Sequence, residues 1–178
     1  KPFFINGINL GVSIPGTQPG QLAASREQYR RWINRIGEIG INSIRVYTLH
    51  YPRFYEELQA YNEAHPGDPI YLFQGIWLHE VVPDKNLYNL TQAFDNSIEE
   101  VIDCCHGNRT IEHRYGEAYG DFTTDVSTWI IGYILGREIQ PVEIITTDSI
   151  NSSVNSYEGK YASIDDCSPS EAWLTERI

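Results

Sequence analysis

Four short apolar runs in this chain are each followed at once by residues able to do chemistry. Asn9 and Ser13 follow the first, and Arg45, Tyr47 and His50 lie in and after the second. Trp77, His79 and Glu80 follow the third, and Arg137, Glu138 and Gln140 follow the fourth. Carboxyl and imidazole groups can carry protons, while Arg and Asn can bind hydroxyls or anions. Aromatic rings interleaved with such groups suit a sugar, because the rings stack on pyranose C–H faces while the polar groups bond the hydroxyls. A second reading has His50, His79, Glu80 and Glu138 converging on one cation, as a metal-dependent sugar-processing site requires. Cys104-Cys105-His106 with His113 invites a zinc reading, but no C-x-x-C spacing supports it. Adjacent cysteines point about 100° apart on a helix, and the pair reads as small half-buried residues.

Those groups must be held by the elements around them, and strand and helix signals alternate. Strands are expected over 3–10, 43–47, 70–77 and 129–135. Ser25 with Gln28 three positions on is a capping-box start, and Tyr29, Trp32, Ile33, Ile36 and Ile39 share one helical face before Gly40 ends it. Pro52 suits a first helical position, with Phe54, Leu58 and Tyr61 as the stripe and His65-Pro66-Gly67-Asp68-Pro69 as the break. Leu90, Phe94, Ile98, Val101 and Ile102 mark a third helix. Ser168-Pro169-Ser170-Glu171 is a second capping box, so the fourth helix is expected to begin there, with the chain ending about ten residues into it. The polar, aromatic stretch 107–128 reads as an insertion before the fourth strand.

Alternating βαβα with near-continuous apolar strands argues an α/β fold with a parallel sheet. A doubly wound nucleotide-binding sheet needs a glycine-rich phosphate turn after its first strand. Gly7-Ile8-Asn9-Leu10-Gly11 is not G-x-G-x-x-G, and no G-x-x-x-x-G-K-[ST] occurs, so no nucleotide cofactor is expected. A (β/α)8 barrel collects its chemistry at the C-terminal ends of the strands, where the polar residues of this chain gather. Residues 1–178 are therefore expected to form the first half of a TIM barrel, strands one to four.

Composition narrows the partners. The 178 residues carry 13 Lys+Arg against 24 Asp+Glu, a net charge of −11. Binding to nucleic acid or an anionic membrane needs a basic face, and neither is expected. The longest apolar stretch, Trp129–Leu135, is far short of the roughly 20 residues of a membrane span. A hydrophobic fraction of 41% marks a globular chain. It opens on Lys1-Pro2 and contains no Met, which reads as a segment of a longer protein. Three cysteines give no disulfide framework.

The order of the motifs carries a resemblance. Phe3-Phe4-Ile5-Asn6-Gly7-Ile8-Asn9 resembles the first strand of clan A glycoside hydrolases. Asn42-Ser43-Ile44-Arg45-Val46, with His50-Tyr51-Pro52 downstream, is similar to their second strand, particularly in the family 2 barrel. Leu135-Gly136-Arg137-Glu138 resembles the fourth-strand motif whose Glu donates the proton. The resemblance implies retaining cleavage or transfer of glycosidic bonds, with Glu138 as acid/base and the nucleophile on a seventh strand. It implies that Arg45 orients that nucleophile; Asn9, His50, Trp77, His79, Glu80 and Arg137, by their place after the strands, are expected to line the sugar site. Arg137 departs from the family, which usually carries Asn there. A permanent cation beside a carboxyl favours its ionised form, the wrong direction for an acid, so Arg137 must point elsewhere or meet an acidic group of the substrate. A non-catalytic carbohydrate-binding barrel is the alternative. Four strands cannot close a barrel, so the chain alone is expected to be inactive and either to self-associate into a closed assembly or to fold poorly.

Overall fold

The computed structural model describes residues 4–153, 157 and 167–178; Lys1, Pro2 and Phe3 of the expected first strand lie outside them. The chain divides into two compact units, one of Lys1–Ile76 with Glu99–Ile134 and one of Trp77–Ile98 with Leu135–Ile178. The fold is α/β with a parallel four-stranded sheet. Among the described residues no helix is long and apolar enough to cross a membrane.

The first unit is built on that sheet. Strands β1 (Gly7–Leu10), β2 (Ser43–Val46), β3 (Tyr71–Ile76) and β6 (Ile130–Leu135) lie in the order β1-β2-β3-β6. Register places Ile8 beside Ile44 and Ile44 beside Leu72, and Asn9 beside Arg45 and Arg45 beside Phe73. Alternation sends the two rows to opposite faces. Ile44, Val46, Leu72 and Gln74 are buried on one face, whereas Arg45 and Phe73 are half-buried on the other and Asn9 is exposed. β1 is shorter than expected because side-chain amides fasten its approach. The backbone N–H of Asn6 donates to Asn42 Oδ1 at 2.9 Å, Asn42 Nδ2 donates to the Phe4 carbonyl at 2.8 Å, and Asn6 Nδ2 donates to the Gly40 carbonyl at 2.9 Å.

Helices α1 (Arg26–Glu38) and α2 (Pro52–Ala64) pack side by side. The Ser25–Gln28 capping box starts α1 as the sequence predicts, and Tyr29, Ile33 and Ile36 are buried. Phe54, Tyr55 and Leu58 are the buried stripe of α2. Glu57 of α2 is 6% exposed and pairs with Arg30 at 2.8 Å and Arg26 at 3.1 Å, so a nearly buried carboxylate is neutralised from α1. Asn62 closes the turn into β3: it donates to the Ile70 carbonyl at 2.9 Å and accepts from the Ile70 N–H at 2.7 Å.

The insertion is a small antiparallel hairpin of β4 (Arg109–Ile111) and β5 (Gly120–Phe122). It follows α3 (Thr91–Cys105), whose last turn buries Cys104 and Cys105 completely. Burial pushes both thiols up to about 12, and Tyr133 hydrogen-bonds Cys105, so neither is a ready thiolate.

The second unit holds the loop 77–82, two 3-10 turns at Pro83–Lys85 and Leu87–Leu90, and the start of α3. It also holds a helix that the sequence reading missed. The helix after β6 begins at Pro141, not at Ser168: α4 spans Pro141–Ile150, and the Ser168 capping box starts a short α5 (Pro169–Thr175). Trp173 of α5 is fully buried, donates from Nε1 to Thr91 Oγ1 at 2.9 Å, and lies 4.3 Å beneath the Arg177 guanidinium.

Gly75 in β3 is a point of close backbone approach. A Cβ there would collide with the main chain of Val46 and Tyr47, which no side-chain rotation relieves. Gly75→Ala should therefore cost about 1–3 kcal/mol, read as a lowered urea midpoint with an unchanged slope. An unchanged midpoint would contradict this packing of β2 on β3.

Candidate functional site

The segment after β6 is shaped by one turn and one buried charge. Gly136 turns the chain at φ +91°, a conformation suited to glycine. Arg137 then folds inward, its side chain only 3% exposed. Its Nη2 donates to both carboxylate oxygens of Glu143, at 3.0 and 3.1 Å. Glu143, from the first turn of α4, is 1% exposed and also accepts the Gln140 N–H at 3.0 Å. A carboxylate at the start of a helix also meets the positive end of its dipole. Burial opposes the charge on Glu143, but Arg137 and the Gln140 N–H outweigh it and hold its pKa below the ordinary range.

Arg137 reaches further than its ion partner. Nη1 donates to the Glu138 carbonyl at 2.9 Å, and Nη2 lies 3.4 Å from the carbonyls of His79 and Glu80. Nε stands 3.6 Å from Glu80 Oε2. Glu80 is 65% exposed and accepts the Trp77 indole N–H at 2.9 Å. One line of contacts thus runs Trp77–Glu80–Arg137–Glu143, from an exposed indole to a buried carboxylate. His79 is exposed, and its Nδ1 accepts the Val81 N–H at 3.1 Å. Glu138 is exposed, and its carboxyl has no hydrogen-bond or ion-pair partner among the described residues.

This placement corrects the expectation for Arg137. The guanidinium points inward and its charge is balanced by Glu143 and Glu80, so it is committed to the protein rather than offered to a substrate. Glu143 was not anticipated, although Pro141 at the first helical position with Glu143 two residues on is a readable helix start.

In the first unit, Asn9 and Arg45 are register neighbours on the open sheet face. The Arg45 guanidinium lies 4.7 Å from the Tyr47 ring centroid, and its buried Nε has no hydrogen-bond partner among the described residues. His50, expected at the rim, is 0% exposed instead. Its Nδ1 is 2.8 Å from the Tyr29 hydroxyl, the Phe54 ring lies at 4.8 Å, and Nε2 has no partner among the described residues. Among the described residues no three His, Cys, Asp or Glu side chains gather as a metal site. No family model matches the chain, and neither the curated proteins nor the solved structures contain a match to it.

Burial lowers the His50 pKa to about 3. Folded His50 stays neutral while the unfolded chain takes a proton below about 6.5. Stability is untouched above that pH and falls as pH drops from about 6.5 toward 3, by about 1.4 kcal/mol per unit for one proton. His50→Gln should flatten the fall in urea-unfolding free energy between pH 6.5 and 5, a window above that of Glu143. Parallel slopes for the two proteins would contradict a neutral, buried His50.

Proposed function

We propose that this chain is the first half of a (β/α)8 barrel of glycoside hydrolase type, and that Glu138 is its acid/base. The observation that carries this reading is the exposed Glu138 carboxyl, three residues past the fourth strand of the parallel sheet, on a backbone fixed by Arg137. The inward Arg137 supports it by removing the sequence-level objection to an arginine before the acid. Trp77, its indole held by Glu80, supplies a 40% exposed apolar ring for a pyranose face.

In this mechanism Glu138 protonates the leaving glycosidic oxygen and then, as carboxylate, takes a proton from the attacking water. A second carboxylate about 5–5.5 Å away, on a later strand of the closed barrel, is the nucleophile, and two inversions give retention. Arg45, a register neighbour of Asn9, is assigned the orienting of that nucleophile by the family resemblance alone. The substrate is a neutral carbohydrate, consistent with the net charge of −11.

The test is Glu138→Gln in the intact barrel. Turnover of an unactivated glycoside should fall 10²–10⁴-fold, and less for substrates with good leaving groups. Near wild-type turnover on the unactivated substrate would rule out the role. Saccharide binding without turnover in the wild type would favour the non-catalytic carbohydrate-binding barrel.

Among the described residues β1 and β6 are the end strands of the sheet. Such edges promote association. Residues 1–178 alone should therefore scatter light as a species heavier than the 20.4 kDa chain and show no glycosidase turnover. A monomer that turns over glycosides would contradict the half-barrel reading.

A further inference from the structure

We infer that Arg137 and Glu143 act together as a positioning clamp, setting the backbone that presents Glu138 and the backbone that presents Trp77 and Glu80. The inference rests on the reading of Glu138 as acid/base and names what holds that group in place. Three observations and one general principle carry it. The pair is buried almost completely, at 3% and 1% side-chain exposure, so its geometry is not averaged by solvent. A buried pair gives little stability over an apolar one of similar volume, so stability alone is a weak reason for its presence. Arg137 spends its remaining reach on main-chain carbonyls of both segments: Glu138 at 2.9 Å, His79 and Glu80 at 3.4 Å. Glu143, in turn, holds Arg137 and the Gln140 N–H with one carboxylate, so the start of α4 and the Glu138 segment are fastened at one point.

The guanidinium is required rather than charge alone. A lysine ammonium is a point charge on a flexible stem and can pair with Glu143. It cannot also present separate N–H groups to the Glu138 carbonyl and to the carbonyls of His79 and Glu80. Arg137 and Glu143 are thus positioning residues: neither is assigned a contact with substrate.

Two variants test this. Arg137→Lys keeps the charge and loses the fork. The double variant Arg137→Met with Glu143→Leu removes both charges without leaving either one buried alone. Global stability is read by urea unfolding, and amide hydrogen exchange is followed over residues 79–82 and 137–139 of the 178-residue chain. The expected result is a double variant with a near wild-type unfolding midpoint, and exchange in both segments at least tenfold faster in both variants. In the intact barrel, Arg137→Lys should lower kcat at least tenfold while KM changes less than about twofold. Unchanged exchange in both segments, or a double variant with full kcat, would overturn the clamp. Absence of turnover in the wild-type barrel would instead overturn the glycosidase reading, and the exchange rates would still decide the clamp.

Discussion

A guanidinium removed from water must find its counter-charge in the protein, and for Arg137 that counter-charge is Glu143. Taking two such charges from solvent costs several kcal/mol per ion, and the cost is recovered only when the remaining donors and acceptors are satisfied. Here they are largely satisfied by the backbone. The carbonyls of Glu138, His79 and Glu80 take the Nη groups and the N–H of Gln140 meets Glu143, while Arg137 Nε faces Glu80 Oε2 at 3.6 Å without a hydrogen bond among the described residues. An exposed indole and the backbone of an exposed carboxyl residue are therefore linked to a buried electrostatic centre.

The first unit rests on a different constraint, the two faces of a parallel sheet. Ile44, Val46 and Leu72 are fully buried on one face, and α1 and α2 bring Tyr29, Ile33, Phe54 and Leu58 to the same core. The opposite face carries Arg45 and Phe73 at half exposure and Asn9 more fully exposed. Arg45 has no carboxylate partner among the described residues; its guanidinium lies over the Tyr47 ring and its Nε is buried without a hydrogen bond. In the proposed barrel that face is the interior.

Much of this was legible in the sequence. The Ser25 and Ser168 capping boxes start helices as written, and the centres of all four parallel strands fall inside the expected apolar runs. The placement of Trp77 and Glu138 just after β3 and β6 follows from those runs. What was hidden had physical reasons. The isoleucines of α4 are spread around the helix, with Val142 and Ile145 exposed, so no single stripe announced it. His50 reads as a rim residue because it is polar and follows a strand, but its partner Tyr29 comes from a helix 21 residues earlier, a pairing that only folding reveals. Arg137 next to Glu138 suggested two charges side by side, whereas the turn at Gly136 sends the first inward and leaves the second in solvent.

In the proposed function the exposed Trp77 ring and the exposed Glu138 carboxyl receive a sugar. The chain contains four tryptophans, at 32, 77, 129 and 173, whose indole N–H signals can be followed separately by NMR. During titration with neutral oligosaccharides, the Trp77 indole N–H, held by Glu80, should move saturably together with the backbone amides of residues 79, 80 and 138. The indole of buried Trp173 should stay fixed. If all four indole signals remain unmoved at saturating saccharide while the spectrum stays that of a folded protein, the carbohydrate reading of this site is wrong.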